Sequence, residues 1–226
     1  MSHEESFGDD FHYHTKGVRS PKLGFGLCGA QRTGKTTLAK AVSEETGMFY
    51  LETSASGTFR RLGKDPKAEY PFAERLEIQR EILKDMVALY EEAPKGFVTD
   101  RTPVDICAYT IGDMMRGNYS DSPALMSFRN ECLATLEKYF RTVCVVQPGI
   151  AITEDFNKAQ GNPAHMEHIN TICIGLLSSD ELSVSAKVMA RDVITLEERL
   201  ETVNICLISD ADISAAKIFQ ETRRVC

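Results

Sequence analysis

Residues 29–36, with the sequence GAQRTGKT, are the part of the chain whose residue types and spacing indicate chemistry most clearly. They match G-x-x-x-x-G-K-[ST], the pattern of a phosphate-binding loop. Gly29 and Gly34 allow the backbone to turn successive N–H groups towards one cavity. Lys35 can bridge the β- and γ-phosphates of ATP, and the Thr36 hydroxyl can bind Mg²⁺. The residues expected to contact the nucleotide are Gly29, Ala30, Gln31, Arg32, Thr33, Gly34, Lys35, Thr36 and Thr37.

A second group with chemical potential follows a short apolar segment, residues 97–99. This segment predicts a strand that ends in Asp100 and Arg101. A carboxylate beside a phosphate loop can hold Mg²⁺ or accept a proton from an attacking hydroxyl, and an arginine can clamp a phosphate. The alternative is that Asp100 only caps the next helix and pairs with Arg101. We favour the functional interpretation, which makes Lys35, Asp100 and Arg101 the candidate catalytic residues and Thr36 and Asp100 the candidate metal ligands.

A hydroxyl-rich and basic segment, residues 53–64, supplies the candidates for binding a second substrate. It follows a predicted strand, residues 48–52, and loops at the carboxyl ends of parallel strands line the ligand crevice. Arginine is the usual bidentate partner of phosphate, although a solvated connection is the alternative. The residues expected to bind substrate are Thr53, Ser54, Arg60, Arg61, Arg101 and Asp105.

The flanking sequence predicts the elements that must position these residues. Residues 23–28 are short and apolar, which indicates a buried strand before the phosphate loop. Residues 37–46 predict a helix that Gly47 ends, and a helix N-terminus carries a partial positive charge where phosphates bind. Strands and helices alternate along the rest of the chain, which predicts a doubly wound, mostly parallel α/β sheet. The further elements are helices over 72–92, 103–116, 122–140, 165–177, 195–207 and 212–226, and strands over 142–147 and 183–190.

The phosphate loop and the segment DRTPVDICAY, residues 100–109, together resemble the P-loop kinases of small nucleosides and nucleotides. The nearest resemblance is to phage-type deoxynucleoside monophosphate kinases and to nicotinamide riboside kinase relatives. It extends over residues 22–205 in the order of elements. It implies a three-layer fold with a five-stranded parallel sheet of order 2-3-1-4-5. It also implies that Asp100 is a base or an Mg²⁺ partner and that Arg101 contacts substrate or phosphate.

The domain organisation expected is a flexible N-terminal arm, residues 1–20, followed by one P-loop kinase domain, residues 21–226. In the resembling kinases, the loop after the fourth strand is a lid that brings arginines to the transferred phosphoryl group. The corresponding loop here, residues 149–164, contains Lys158 and no arginine. The missing charge is expected from Arg32, or from Arg191 and Arg199 further along the chain.

Composition excludes several classes of protein. The chain has 226 residues, 42% of them hydrophobic and 26% charged, as is ordinary for globular proteins. The net charge of −7 argues against a nucleic-acid coat or a membrane-surface protein. No apolar run approaches the roughly 20 residues that a membrane span needs. The seven cysteines form no C-x-x-C pair, so neither zinc nor disulfides are indicated and a cytoplasmic location is expected.

The function expected is ATP- and Mg²⁺-dependent phosphoryl transfer to a small nucleotide, with a deoxynucleoside monophosphate as the lead acceptor. One alternative is a kinase of a hydroxyl on a nucleoside or on a modified base in DNA, such as hydroxymethyluracil. DNA is a partner only in that case, and its best basic patch is Arg60, Arg61, Lys64 and Lys67. The other alternative is a non-kinase NTPase switch or an AAA-type subunit. A homodimer is left open.

Overall fold

The computed structural model describes residues 24–94, 96–114, 122–151, 162–179 and 182–208. The strands are β1 (Gly24–Cys28), β2 (Phe49–Tyr50), β3 (Phe97–Thr99), β4 (Phe140–Val146) and β5 (Ser185–Met189). They form one parallel sheet in the order β2-β3-β1-β4-β5. The strand order that the resemblance implied is therefore confirmed.

Helices connect the strands, as the alternating pattern predicted. They are α1 (Lys35–Thr46), α2 (Ala55–Arg61), α3 (Phe72–Glu92), α4 (Pro103–Met114), α5 (Ser122–Tyr139), α6 (Pro163–Leu177) and a helix over residues 196–208, here called α7. Helix α7 begins with a capping box, because the Glu198 N–H donates to Thr195 Oγ1 at 3.3 Å and the Thr195 N–H donates to the Glu198 carboxylate at 3.1 Å.

Helices cover the sheet on both faces. Successive side chains of a strand point to opposite faces, and β4 shows this clearly. Val143 and Val145 belong to the core that α3, α4, α5 and α6 bury, whereas Cys144 and Val146 belong to the core beneath α1 and α7. The three-layer α/β architecture is therefore confirmed.

Some sequence predictions differ from the structure or lie outside it. Strand β2 is two residues long, shorter than the predicted 48–52, and the helical character expected in the loop over 53–64 is a full helix, α2. The strand predicted over 142–147 begins earlier, at Phe140, because that residue pairs with Gly24 of β1. The N-terminal arm, the helix at 212–226 and residues 152–161 of the predicted lid lie outside the described residues. In the parts of the chain that the structure describes, no helix has the length and apolar character to cross a membrane.

A cluster of aromatic rings supports the β1–β3–β4 part of the sheet. The ring of Tyr90 packs edge-on against Phe140, with centroids 5.1 Å apart, and stacks with Phe97 at 5.7 Å. Strand β1 makes room for these rings, since a Cβ at Gly24 would lie 2.5 Å from the Phe97 ring and one at Gly26 would lie 3.0 Å from the Phe140 ring. The cluster thus depends on the two glycines of β1.

Replacing Phe140 by alanine should cost about 3–5 kcal/mol of unfolding free energy, because it leaves a cavity in this cluster. Urea denaturation followed by circular dichroism measures the change, and the midpoint should fall with an unchanged slope. The control is Phe49→Ala, since Phe49 is 50% exposed on the edge strand β2. Equal effects of the two substitutions would contradict the importance of the cluster.

Candidate active site

The phosphate loop, residues 29–34, joins β1 to α1 through backbone conformations that require glycine at two positions. Gly29 has φ +124° and Gly34 has φ +82°, both in the region that side chains disfavour. Space is also lacking, because a Cβ at Gly29 would lie 2.8 Å from the Val146 carbonyl oxygen. Arg32, at φ +64°, is the one described residue other than glycine with a positive φ. The glycines of the motif are therefore needed for both conformation and close approach.

The ammonium group of Lys35 lies against the phosphate loop. Its Nζ donates to the carbonyl oxygens of Gly29 at 2.8 Å and Ala30 at 2.6 Å. Burial lowers the pKa of Lys35, the carboxylate of Asp105 opposes this shift, and the positive charge of Arg101 adds to it. The charges of Asp105 and Arg101 thus act on this amine in opposite directions.

Helix α1 begins at Lys35 and points its N-terminus at the loop. The first N–H groups of a helix have no acceptor within the helix, and the N-cap residue Gly34 provides no side-chain cap. These N–H groups and the partial positive charge of the helix end form an anion-binding surface. Thr36 and Thr37, in the first turn, are exposed.

The structure brings Thr36 and Asp100 together, as the sequence predicted. The Thr36 hydroxyl donates a hydrogen bond to a carboxylate oxygen of Asp100, across the adjacent strands β1 and β3. The pKa of Tyr50 is raised by burial and then by the negative charges of Asp100 and Glu52. Tyr50 and Glu52, which the sequence reasoning missed, therefore lie beside this pair. The signal available in the sequence was their position at the end of the second predicted strand.

Thr36 and Asp100 suit Mg²⁺ as ligands. A hydroxyl and a carboxylate oxygen are hard donors, and Mg²⁺ commonly takes one or two such protein oxygens and completes its shell with phosphates and water. Within the described residues, no group of three or more histidine, cysteine, aspartate or glutamate side chains could hold a metal by itself. The pair therefore fits a metal that binds together with a phosphate ligand.

Helix α4 holds the phosphate loop from below through two side chains one turn apart. Asp105 is 2% exposed, and its Oδ1 accepts a hydrogen bond from the Gly29 N–H at 3.0 Å. Its Oδ2 accepts from the Thr102 N–H at 2.8 Å and from the Thr102 hydroxyl at 3.0 Å. The Tyr109 hydroxyl accepts from the Gln31 N–H at 2.9 Å. Asp105, predicted to bind substrate, is thus engaged by the loop and by the β3–α4 connection.

The charge balance around Asp105 follows from this burial. Burial raises the pKa of the Asp105 carboxyl, while Lys35, Arg101 and the hydrogen bonds from Thr102 and Gly29 oppose the rise. Burial and the negative charge of Asp105 raise the pKa of Tyr109 to about 12, so its hydroxyl remains protonated over the physiological range. The hydrogen bond between Tyr109 and the loop is therefore unchanged by modest changes of pH.

The predicted substrate residues after β2 fall into two groups. Ser54 caps α2 by accepting from the Gly57 N–H at 3.1 Å, and Arg61 pairs with Glu81 and Asp85 at 2.9 Å. These side chains already have partners within the protein. Arg60 is exposed, and the buried hydroxyl oxygen of Thr53 has no hydrogen-bond partner among the described residues. Thr53 and Arg60 thus remain available to a ligand in the described part of the chain.

The arginines considered as substitutes for lid residues occupy different places. Arg191 donates to the Glu167 carboxylate at 2.7 Å and to the Pro148 carbonyl at 3.3 Å. Arg199, on α7, is 4% exposed and donates to the Thr33 carbonyl at 2.7 Å. Arg199 therefore contacts the phosphate loop directly. Arg101 follows Asp100 at the end of β3, and in the described residues no carboxylate pairs with its side chain.

The fold and the phosphate loop together define a class of protein, that of the P-loop NTP-binding domains. The family model described as AAA domain matches residues 25–191, which is most of the chain, and the chain belongs to this family. No curated protein matches the sequence.

Solved structures with this fold include nucleoside and nucleotide kinases. Deoxyadenosine kinase from M. mycoides with bound dCTP has a TM-score of 0.59 and 13% identity, over 83% of this chain and 100% of that one. Thymidylate kinase from Candida albicans has a TM-score of 0.55 and 11% identity, over 84% and 93%. NadR in complex with NAD and AMP-PNP has a TM-score of 0.56 and 13% identity, over 80% and 48%. The chain thus has the fold of these kinases.

Asp105→Asn distinguishes support of the loop from binding of the acceptor. The amide retains one acceptor oxygen and presents an NH₂ group to a buried donor, so unfolding free energy should fall by about 1–3 kcal/mol. The KM for ATP should rise because the Gly29 anchor is weakened, and the KM for the acceptor should not change. Asp85→Asn, at a carboxylate whose side chain is 40% exposed, is the control. A raised KM for the acceptor alone, with normal stability, would instead support the substrate role predicted from the sequence.

Proposed function

We propose that this protein is an ATP-dependent phosphotransferase that acts on a small nucleotide, with a deoxynucleoside monophosphate as the lead acceptor. One observation carries the proposal. The Thr36 hydroxyl, directly after the Lys35 of a phosphate loop, donates to Asp100 at the end of the neighbouring strand. Phosphate-binding groups and a carboxylate for metal or proton chemistry therefore share one edge of the sheet.

In this proposal the chain contributes mainly position and charge. The N–H groups at the start of α1 and the Lys35 ammonium bind the phosphates of ATP. Thr36 and Asp100 would hold Mg²⁺, which when bound neutralises charge on the β- and γ-phosphates. Arg101, whose charge acts on Lys35, lies where it can stabilise negative charge on the transferred phosphoryl group or on an acceptor phosphate. These residues come from the start of α1 and from the end of β3, which meet at the carboxyl end of the sheet.

The acceptor side is assigned to the loop after β2. The buried Thr53 hydroxyl lacks a partner among the described residues, and a ligand oxygen would satisfy it. The exposed guanidinium of Arg60 and that of Arg101 suit the negative charge of a monophosphate. A monophosphate oxygen is already anionic, so its attack on ATP requires no general base.

A hydroxyl acceptor is the second candidate, and the position of Glu52 favours it. Strands β2 and β3 pair Tyr50 with Val98, so continuing this parallel register places Glu52 beside Asp100. The charges of both carboxylates act on Tyr50, which supports their proximity. With Asp100 engaged by Thr36, Glu52 is available to accept the proton of an attacking hydroxyl.

The remaining alternatives have less support. In the basic patch proposed for DNA, Lys64 pairs with Glu74 and Arg61 pairs with Glu81 and Asp85, which leaves less unbalanced positive charge for a phosphate backbone. The AAA domain description is compatible with an NTPase that has no acceptor. An assay of phosphoryl transfer to acceptors distinguishes such an NTPase from a phosphotransferase.

The experiment that tests the proposal supplies γ-labelled ATP and Mg²⁺ with a panel of acceptors. The panel contains the nucleoside monophosphates, nucleosides, nicotinamide riboside, and plain and hydroxymethylated DNA. Transfer to a deoxynucleoside monophosphate is the expected result. Transfer only to a nucleoside or to hydroxymethylated DNA would establish the hydroxyl alternative, and ATP hydrolysis with no labelled acceptor would contradict the proposal.

Lys35→Ala should reduce phosphoryl transfer by about 10²–10³-fold, because it removes a positive charge from the phosphates in the transition state. Circular dichroism should show an intact fold. The matched control is Lys84→Ala on α3, where the side chain is 75% exposed. Turnover that is unchanged by Lys35→Ala would remove the assignment of the loop.

Asp100→Asn and Glu52→Gln separate the two acceptor classes. If a monophosphate is the acceptor, Asp100→Asn should raise the Mg²⁺ requirement while Glu52→Gln leaves kcat within about threefold of wild type. If a hydroxyl is the acceptor, Glu52→Gln should lower kcat by about 10²-fold or more, as expected for the loss of a general base. Steady-state rates over a Mg²⁺ titration measure both effects.

A further inference from the structure

Arg199 is a buried cation that has no part in the phosphoryl transfer proposed above. Its Nε donates to the Val193 carbonyl at 2.9 Å and its Nη1 to the Thr33 carbonyl at 2.7 Å. In the described residues no carboxylate pairs with it, and burial lowers its pKa with no opposing cause. Burying a charge without a counter-charge is unfavourable, so its position requires a compensating benefit.

The geometry of the peptide group indicates what Arg199 does to the loop. In a trans peptide the C=O of one residue and the N–H of the next point in opposite directions, and the described chain has no cis peptide. Because the Thr33 carbonyl points at Arg199, the Gly34 N–H of the same peptide points away from Arg199. The peptide between Ala30 and Gln31, three peptides earlier, shows the same opposed directions, since the Ala30 carbonyl accepts from Lys35 and the Gln31 N–H donates to Tyr109.

The fit between Arg199 and the loop is close. A Cβ at Gly34 would lie 3.0 Å from Arg199 Nη1 and 3.3 Å from Ile150 Cδ1. The Val193 carbonyl that holds the other side of the guanidinium belongs to the connection between β5 and α7. One side chain thus connects α7 and the residues after β5 to the centre of the phosphate loop, 166 residues earlier in the chain.

We propose that Arg199 is a positioning residue for ATP: by holding the Thr33 carbonyl from behind, it directs the Gly34 N–H at the polyphosphate, and it places directly behind the loop a positive charge that no carboxylate of the described residues pairs. This inference rests on the proposed function, because it assigns the loop to ATP. The bound polyphosphate supplies the negative charge that Arg199 lacks. Ligand binding and the burial of Arg199 therefore stabilise one another across the loop backbone.

The test compares Arg199→Met and Arg199→Lys with wild type, using inorganic tripolyphosphate as a probe that has neither base nor sugar. Methionine fills a similar volume with no charge or donor. It should weaken tripolyphosphate binding by about tenfold or more, the scale of a hydrogen bond to a charged group. Lysine keeps the charge but has no planar fork to reach both carbonyls, so its loss should be smaller. Arg80→Met, which removes a half-buried arginine of α3 that pairs with Glu131 on α5, is the control.

The kinetic readout separates positioning from simple stability. Arg199→Met should raise the KM for ATP and leave the KM for the acceptor unchanged, whereas a purely structural role would lower the unfolding temperature without changing the affinity for tripolyphosphate. Wild-type affinity in Arg199→Met would overturn this inference alone. If Arg199→Met does not fold, Arg199→Lys decides, and unchanged tripolyphosphate affinity there overturns it. A wild-type protein that binds neither ATP nor tripolyphosphate would overturn both this inference and the proposed function.

Discussion

The buried Asp105 carboxylate accepts hydrogen bonds from the ends of both strands that form the candidate active site. These bonds fix the position of one strand end relative to the other. One oxygen binds the Gly29 N–H at the end of β1, and the other binds Thr102 just after β3. The same two strand ends carry Lys35 and Thr36 on one side and Asp100 and Arg101 on the other. Together with the short β1–β3 pairing and the Thr36–Asp100 hydrogen bond, this connection sets the distance between the phosphate loop and Asp100.

The charges around the loop are arranged in two layers. Below and behind it lie Asp105 and Arg199, both nearly inaccessible to water, and on the ligand side lie Lys35, Asp100 and Arg101. Electrostatic interactions are stronger in the buried layer because water screens them less. The buried layer therefore orients the loop, while the accessible layer is left to meet phosphate and metal.

Local patterns in the sequence were sufficient to predict the parts of the site that are close together along the chain. The phosphate loop and the strand-terminal Asp100 follow from motif and periodicity, and the resemblance supplied the strand order, which the structure confirms. Contacts between distant elements could not be predicted. Arg61 is 24 residues from Asp85 along the chain. The local sequence around neither residue indicates that the basic end of α2 packs against α3.

The same limit explains Asp105 and Arg199. The spacing of Asp105 and Tyr109 places them on one helix face, but whether that face meets solvent, substrate or the underside of the loop depends on how α4 packs. The carbonyl that Arg199 holds lies 166 residues away, and no local signal connects them. Glu52 was not predicted as a site residue, because a glutamate after a strand has no special significance in the sequence. Only the pairing of β2 with β3 shows that it lies beside Asp100.

The glycines of β1 have a consequence for how this family can change over time. At Gly24 a Cβ would lie 2.5 Å from the Phe97 ring, so the space that a side chain would need is already occupied by a neighbour on another strand. A larger residue at position 24 is tolerable only where position 97 has become smaller. Across related sequences, positions 24 and 97 should therefore vary together. A residue larger than glycine is expected at position 24 only in sequences that have lost the aromatic ring at position 97.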